Sequence, residues 1–339
     1  MNNCEKVITI PQYNTTCWFN SILMIAFYSK YCRLLLKNKI KFLVNPTDIQ
    51  KLFINIINTS YLESGSNDPL ELVTKLYTPD DILFLLNKLD STEFNFCPDI
   101  NSPGYIPAFY IHRFLNIFIP YEKILYLDLL PDNTYIISSV FLNDYIYNNV
   151  NSDISLNEIQ KISELMNTIH LNYLLGFIDI ILVNTTTTTH QPYIPFLKSH
   201  NMYLPIELNK YNDSIFINNN HFILDSVILK NYNTEIFDNN SHAVAGITCQ
   251  NNRYLYNGWV SSTNDPSIQS NLTYTLPCNL MKFDWKNSSS FYLSNNSCEF
   301  KPINYDMSKL FTNLCFDFNF SANIHIYINK QSTNLTNIN

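Results

Sequence analysis

The chain has 339 residues, of which 46% are hydrophobic, 14% aromatic and only 14% charged, enough apolar material for one large core or two moderate ones. Its formal net charge of −7, with no basic run, argues against a nucleic-acid binder, which needs a clustered cationic face to displace counterions. Polarity comes from Asn, Thr, Ser and Tyr rather than charge, and Gly is scarce at five copies; this is the bias of an AT-rich genome, such as that of a large DNA virus or a protist.

The first fourteen residues contain no charged-then-apolar leader, and the longest apolar run, 171–183, is too short to span a bilayer and carries Asp179. The expectation is a soluble, non-secreted chain with no membrane partner, located in the cytoplasm (the host-cell cytoplasm or the virion, if viral). In a reducing compartment the eight cysteines, at positions 4, 17, 32, 97, 249, 278, 298 and 315, read as eight free thiols, mostly buried, because none are closely paired.

From Trp18 to Leu36 the sequence is apolar nearly all round, which predicts a helix buried within a core. Thr78-Pro79-Asp80-Asp81 supplies an N-cap, a first-position proline and first-turn acids ahead of the apolar 82–89 run, so a helix starts there. Ser155-Leu156-Asn157-Glu158 reads as a capping box opening a helix through about Ile169. After Gly176 the pattern changes to short β runs: 176–183, 221–229, 242–249 and 253–256, with Thr185–Thr189 as a loop. The order predicts an α+β fold in one domain, 1–330. A helical lobe (about 1–170) and a β-rich lobe (about 171–330) flank a cleft, and 331–339 form a polar tail.

Two segments carry chemistry. Gln12-Tyr13-Asn14-Thr15-Thr16-Cys17 leads a polar loop into the start of the apolar helix, where unpaired amides and the helix dipole favour a thiolate. The same amides, with the side chain of Gln12, can face a developing oxyanion. A buried structural thiol is the alternative for Cys17. Far along the chain, His242 opens a strand, Gln250–Asn252 form a turn, and a second strand ends at Asn257-Gly258-Trp259. Such a hairpin brings Asn257 back beside His242, where its carbonyl would accept the imidazole Nδ1–H and leave Nε2 to take the thiol proton, with Trp259 covering that bond. Asn-Gly is also a tight-turn sequence, so Asn257 has a structural alternative, and Asp265 is a rival partner for the imidazole. The other histidines, 112, 170, 190, 200, 221 and 325, show no ligand spacing, and there is no Gly-rich phosphate loop; neither metal nor cofactor is expected.

The Cys17 segment resembles the Cys box of the ubiquitin-specific proteases, a branch of the papain-like cysteine proteases. Gln12 stands at the oxyanion Asn, followed by Thr16, Cys17, Trp18 as the aromatic, the Asn20-Ser21 pair and Leu23. Residues 222–229, His242 and Asn257 resemble the family's His box, and Asn257-Gly258-Trp259 is similar to the Asn-Ser-Trp of papain. The match covers roughly 8–30 and 220–262. Gln12 replaces Asn, Asn14 replaces a glycine, Ala follows His242, and the paired CxxC motifs of zinc-bearing relatives are absent. The resemblance implies a papain-like fold, possession of the catalytic set Cys17, His242 and Asn257 with Gln12 in the oxyanion hole and Trp18 and Trp259 in support, and cleavage of peptide or isopeptide bonds after a ubiquitin or ubiquitin-like C-terminus. It is compatible with a divergent member from a large DNA virus. A papain-like protease of ordinary polypeptides, such as viral precursors, and an inactive ubiquitin-binding module are the alternatives.

Overall fold

The apolar stretch after Cys17 forms two buried helices rather than one, α1 (Cys17–Tyr28) and α2 (Lys30–Lys39). Between them Ser29 is extended, with φ −70° and ψ 136°. Its hydroxyl donates to the Asp225 carbonyl (3.2 Å) and accepts the Thr248 amide (3.1 Å). The Asp225 carboxylate then caps α2 from across the fold, accepting the amides of Tyr31 (2.9 Å) and Cys32 (3.0 Å). Burial pushes this carboxyl up to about 6 against the pull of those amides. A break that depends on a partner almost two hundred residues away leaves no trace in local periodicity.

A computed structural model gives the architecture; it describes residues 4, 9–10, 12, 15–58, 78–94, 106–129, 135–138, 156–185, 212–217, 219–232, 242–262, 275–288, 290–294, 297–303, 313–319 and 323–334. The remaining described helices are α3 (Asp48–Asn58), α4 (Pro79–Leu89), α5 (Ile111–Asn116) and α6 (Leu156–Leu175). α4 begins as expected: the Thr78 hydroxyl accepts the Asp81 amide and the Asp81 carboxylate accepts the Thr78 amide. Ser155, expected to cap α6, lies outside the described residues, and α6 runs to Leu175, beyond Ile169. Trp18, Phe19, Phe27, Phe53, Tyr110 and Phe114 interlock in edge-on and tilted contacts that fuse α1, α3 and α5 into the helical core.

In chain order the strands are β1 (Ile124–Leu129), β2 (Tyr135–Ile137), β3 (Ile180–Asn184), β4 (Ser214–Ile217), β5 (Asn220–Lys230), β6 (Ala243–Cys249) and β7 (Asn252–Tyr256). They continue with β8 (Val260–Ser262), β9 (Thr275–Pro277), β10 (Met281–Lys282), β11 (Phe291–Ser294), β12 (Phe300–Pro302), β13 (Asn313–Phe316) and β14 (Ile324–Asn329). The main sheet has the order β10-β7-β6-β5-β14-β3-β1-β2, with β4 also on β5; β8 and β9 pair apart, and β12, β11 and β13 form a small sheet. Only β1 and β3 pair in parallel among these described strands, α6 lying between them in the chain. β1 and β2 fall in the part expected to be mainly helical, because a short apolar run cannot be told from a buried helix segment by periodicity alone. The sheet therefore draws strands from both halves of the chain, and α1 packs across β6.

Two further expectations are corrected. The cysteines are not all free: Cys4 bridges Cys249 and Cys278 bridges Cys298, 245 and 20 residues apart, while Cys17, Cys32 and Cys315 are free and Cys97 lies outside the described residues. Proximity in the fold, which sequence spacing does not report, makes these pairs. The chain past Gln331 is not a loose tail through Asn334: the Ser332 hydroxyl donates to Asp179, and Thr333 is buried. Among the described residues no helix is long and apolar enough to cross a membrane.

Candidate active site

Cys17 is the first residue of α1, so its own amide and that of Trp18 have no partner within the helix. The backbone amides of Ala243, at the start of β6, of Trp18 and of Cys17 itself favour the charged form of the thiol. Of the three free cysteines, Cys32 and Cys315 are buried and Cys17 alone is part-exposed. Burial nevertheless pushes its thiol up, with the amides of Ala243, Trp18 and Cys17 and the charge of Lys230 pulling down. The helix start therefore moderates a desolvated thiol instead of producing a resting thiolate, contrary to the sequence expectation.

His242 precedes β6 and is fixed by Asn231: its amide donates to the Asn231 side-chain oxygen (2.8 Å), and its carbonyl accepts the Asn231 amide (3.3 Å). The hairpin pairs Cys249 with Asn252 and Ala245 with Tyr256, around Gln250 in the left-handed region at φ 57°. Continuing that register sets Asn257 opposite Val244 and Trp259 opposite His242, so the His242 and Asn257 side chains meet across a two-residue offset. The Asn257 Oδ1 is 3.0 Å from His242 Nε2 and accepts the Trp259 amide at 3.2 Å, and its Nδ2 donates to the Ser297 carbonyl (3.3 Å). Since a carbonyl oxygen only accepts, Nε2 carries the hydrogen and Nδ1 is left as the base. The ring nitrogens thus exchange the roles expected from sequence. The Trp259 ring covers the imidazole at a centroid distance of 4.8 Å. Burial lowers the imidazole to about 4 despite the Asn257 bond, so both thiol and imidazole rest neutral at pH 7. No hydrogen bond joins Cys17 to His242; the amide of Ala243, next to His242, is among the groups that favour the charged thiol.

Neither Asn257 nor Gly258 has positive φ, so they do not form an Asn-Gly turn. Gly258 is small for another reason: a Cβ there would lie 2.9 Å from the Tyr256 hydroxyl, 3.2 Å from Gln12 Cβ and 3.3 Å from Gln12 Oε1. Gln12 is held on this loop by its amide, which donates to the Gly258 carbonyl (2.7 Å). Upstream, the Tyr256 hydroxyl donates to Ile10 O and accepts from the Asn20 side chain, and Thr9 Oγ1 donates to Cys278 O (2.6 Å).

Gln12, His242, Asn257 and Trp259 are thus brought together, and Cys17 starts the helix that packs across β6. Trp18 is not part of that cluster: its ring points into the helical core, 5.0 Å from Tyr110. Asp265 lies outside the described residues. Asn231, Tyr256 and Ser297 escaped the sequence reading; Asn and Ser are too common in this chain to signal a role. Of the set-aside histidines, His325 stacks on Phe318 and His221 on Phe216, and burial holds His112 at about 3. Among the described residues no group of His, Cys, Asp and Glu suits a metal ion. Comparison with protein-family models and with curated proteins finds no match.

Proposed function

We propose that the chain is a thiol-dependent hydrolase of papain-like type that cleaves peptide or isopeptide bonds after a ubiquitin or ubiquitin-like C-terminus. The observation that carries the reading is a helix-start, part-exposed Cys17 on the helix that packs across β6, the strand His242 precedes, with His242 itself oriented by Asn257 and roofed by Trp259. In the reaction, neutral His242 Nδ1 takes the Cys17 proton as sulfur bonds to the scissile carbonyl carbon, whose π electrons move to oxygen. The Cys17 amide and the Gln12 side chain stabilise that oxyanion. The imidazolium, held by Asn257, donates its proton to the leaving amine, giving a thioester. Water, deprotonated by Nδ1, then attacks the thioester and frees the carboxylate and thiol.

Ubiquitin as substrate rests on the Cys-box resemblance. The second reading, a protease of ordinary polypeptides, is favoured by Asn257-Gly258-Trp259 and by the two disulfides, which are rare in cytosolic proteins and fit the virion better than the reducing cytoplasm. Turnover of a fluorogenic amide on the ubiquitin C-terminus, set beside an unfolded polypeptide, separates them. Selective ubiquitin turnover that disappears in Cys17→Ala supports the reading. Turnover of the polypeptide alone transfers the assignment to the second. Absence of both, with ubiquitin bound, leaves a binding module.

A further inference from the structure

We propose that the Cys278–Cys298 disulfide is a positioning device for the imidazole, acting through Asn257 and Trp259; the catalytic meaning of this role rests on the hydrolase reading above. The backbone of Cys278 and that of Ser297, the residue before Cys298, touch the orienting groups. On one side the Cys278 amide donates to the Trp259 carbonyl (2.9 Å), and the Cys278 carbonyl accepts the Thr9 hydroxyl (2.6 Å), three residues before Gln12. On the other, Ser297, which precedes Cys298, offers its carbonyl to Asn257 Nδ2 (3.3 Å). This last bond decides which way the Asn257 amide faces. With Nδ2 turned to Ser297, Oδ1 must turn to His242 Nε2 and the Trp259 amide.

The segment holding Ser297 belongs to no strand; it lies between β11 and β12. The crosslink to Cys278 fixes its distance from the Trp259 loop, since Cys278 is itself bonded to Trp259. Opening the bridge frees the Ser297 carbonyl to move away, and the Asn257 amide loses the contact that selects its orientation. The other bridge, Cys4–Cys249, lies at the far end of the β6–β7 hairpin and makes no such contact with Asn257.

The test uses the full chain with Cys4→Ala and Cys249→Ala, in which Cys278–Cys298 is the remaining bridge. One nitrogen-15-labelled sample is measured oxidised and then reduced. The readout is water exchange of the His242 Nε2–H proton, referred to the amide protons of β5 in the same spectra. Reduction should speed Nε2–H exchange on the order of tenfold while β5 amides hold their protection. Turnover should fall roughly ten- to a hundredfold with KM little changed, as for misplacement of a reacting group by about 1 Å. In an Asn257→Ala background the same reduction should change turnover less than about twofold, because both act through one contact. Unchanged Nε2–H exchange on reduction overturns the proposal, as does loss of protection throughout β5 in parallel, which marks a merely structural crosslink. Faster exchange in a protein with no turnover in either state upholds the positioning role and removes the hydrolase reading. Should the double variant not fold, Cys298→Ala in the otherwise intact chain is read by the same criteria.

Discussion

Replacing His242 by Gln removes a titrating group whose setting makes a definite claim about pH. The imidazole is 5% exposed and held at about 4, against 6.5 in an unfolded chain. Between those values the unfolded chain binds a proton at His242 and the folded chain does not, so stability drops as pH falls through the interval and is fully present above 6.5. The gap corresponds to about 3 kcal/mol. The wild-type curve alone would hide it, because Asp225, raised to about 6, works in the opposite sense: it takes up a proton on folding and adds stability as pH falls from 6 toward 4. The difference between wild type and His242→Gln cancels Asp225 and the buried His112, which both proteins share. Urea unfolding at stepped pH from 7.5 to 4 should show the wild-type advantage over the variant shrinking by about 3 kcal/mol. A difference that stays level within about 1 kcal/mol across that range refutes an imidazole whose folded pKa lies well below its unfolded value.

Gly258→Ala should lower turnover roughly tenfold or more at nearly constant KM, because the new Cβ would displace the Gln12 side chain that it meets at 3.2–3.3 Å; steady-state kinetics on folded protein checks this. Asn257→Ala should lower turnover per folded molecule roughly ten- to a hundredfold and cost about 1–3 kcal/mol of stability, since the His242 Nε2–H and the Ser297 carbonyl lose their partner; melting and turnover on one sample test both effects. Gly246→Ala should cost about 1–3 kcal/mol by overpacking, its Cβ falling 2.6 Å from Val227 Cγ1 and 2.8 Å from Trp285 Cδ2, with turnover per folded molecule unchanged.

What the sequence disclosed was local. The Thr78 N-cap, the helix start at Cys17 and the β5–β6–β7 run each follow from a few neighbouring residues, and each is formed. The hairpin that carries Asn257 back toward His242 was legible because its register follows from where its turn lies; that register sets Asn257 opposite Val244, and the two side chains close the remaining offset. What depended on distant partners was not. Ser29 splits a continuous apolar stretch because Asp225 and Thr248 meet it from the sheet. β1 was hidden because its neighbour β3 lies beyond a crossover helix. The two disulfides join cysteines whose spacing means nothing until the chain is folded. At the site, residue types pointed to the His242–Asn257 hydrogen bond but not to the ring nitrogen that makes it. That assignment depends on the way Ser297 turns the Asn257 amide.

The most direct test of the central claim is covalent capture. Ubiquitin bearing a thiol-reactive group at its C-terminus is incubated with the full chain, and the adduct is mapped by peptide mass spectrometry. A single adduct on Cys17, absent from Cys17→Ala and formed at least tenfold more slowly by His242→Gln, is the expected result. A folded protein that forms no adduct, or forms it at Cys32 or Cys315 with Cys17 untouched, contradicts the assignment of Cys17 as a nucleophile acting on ubiquitin.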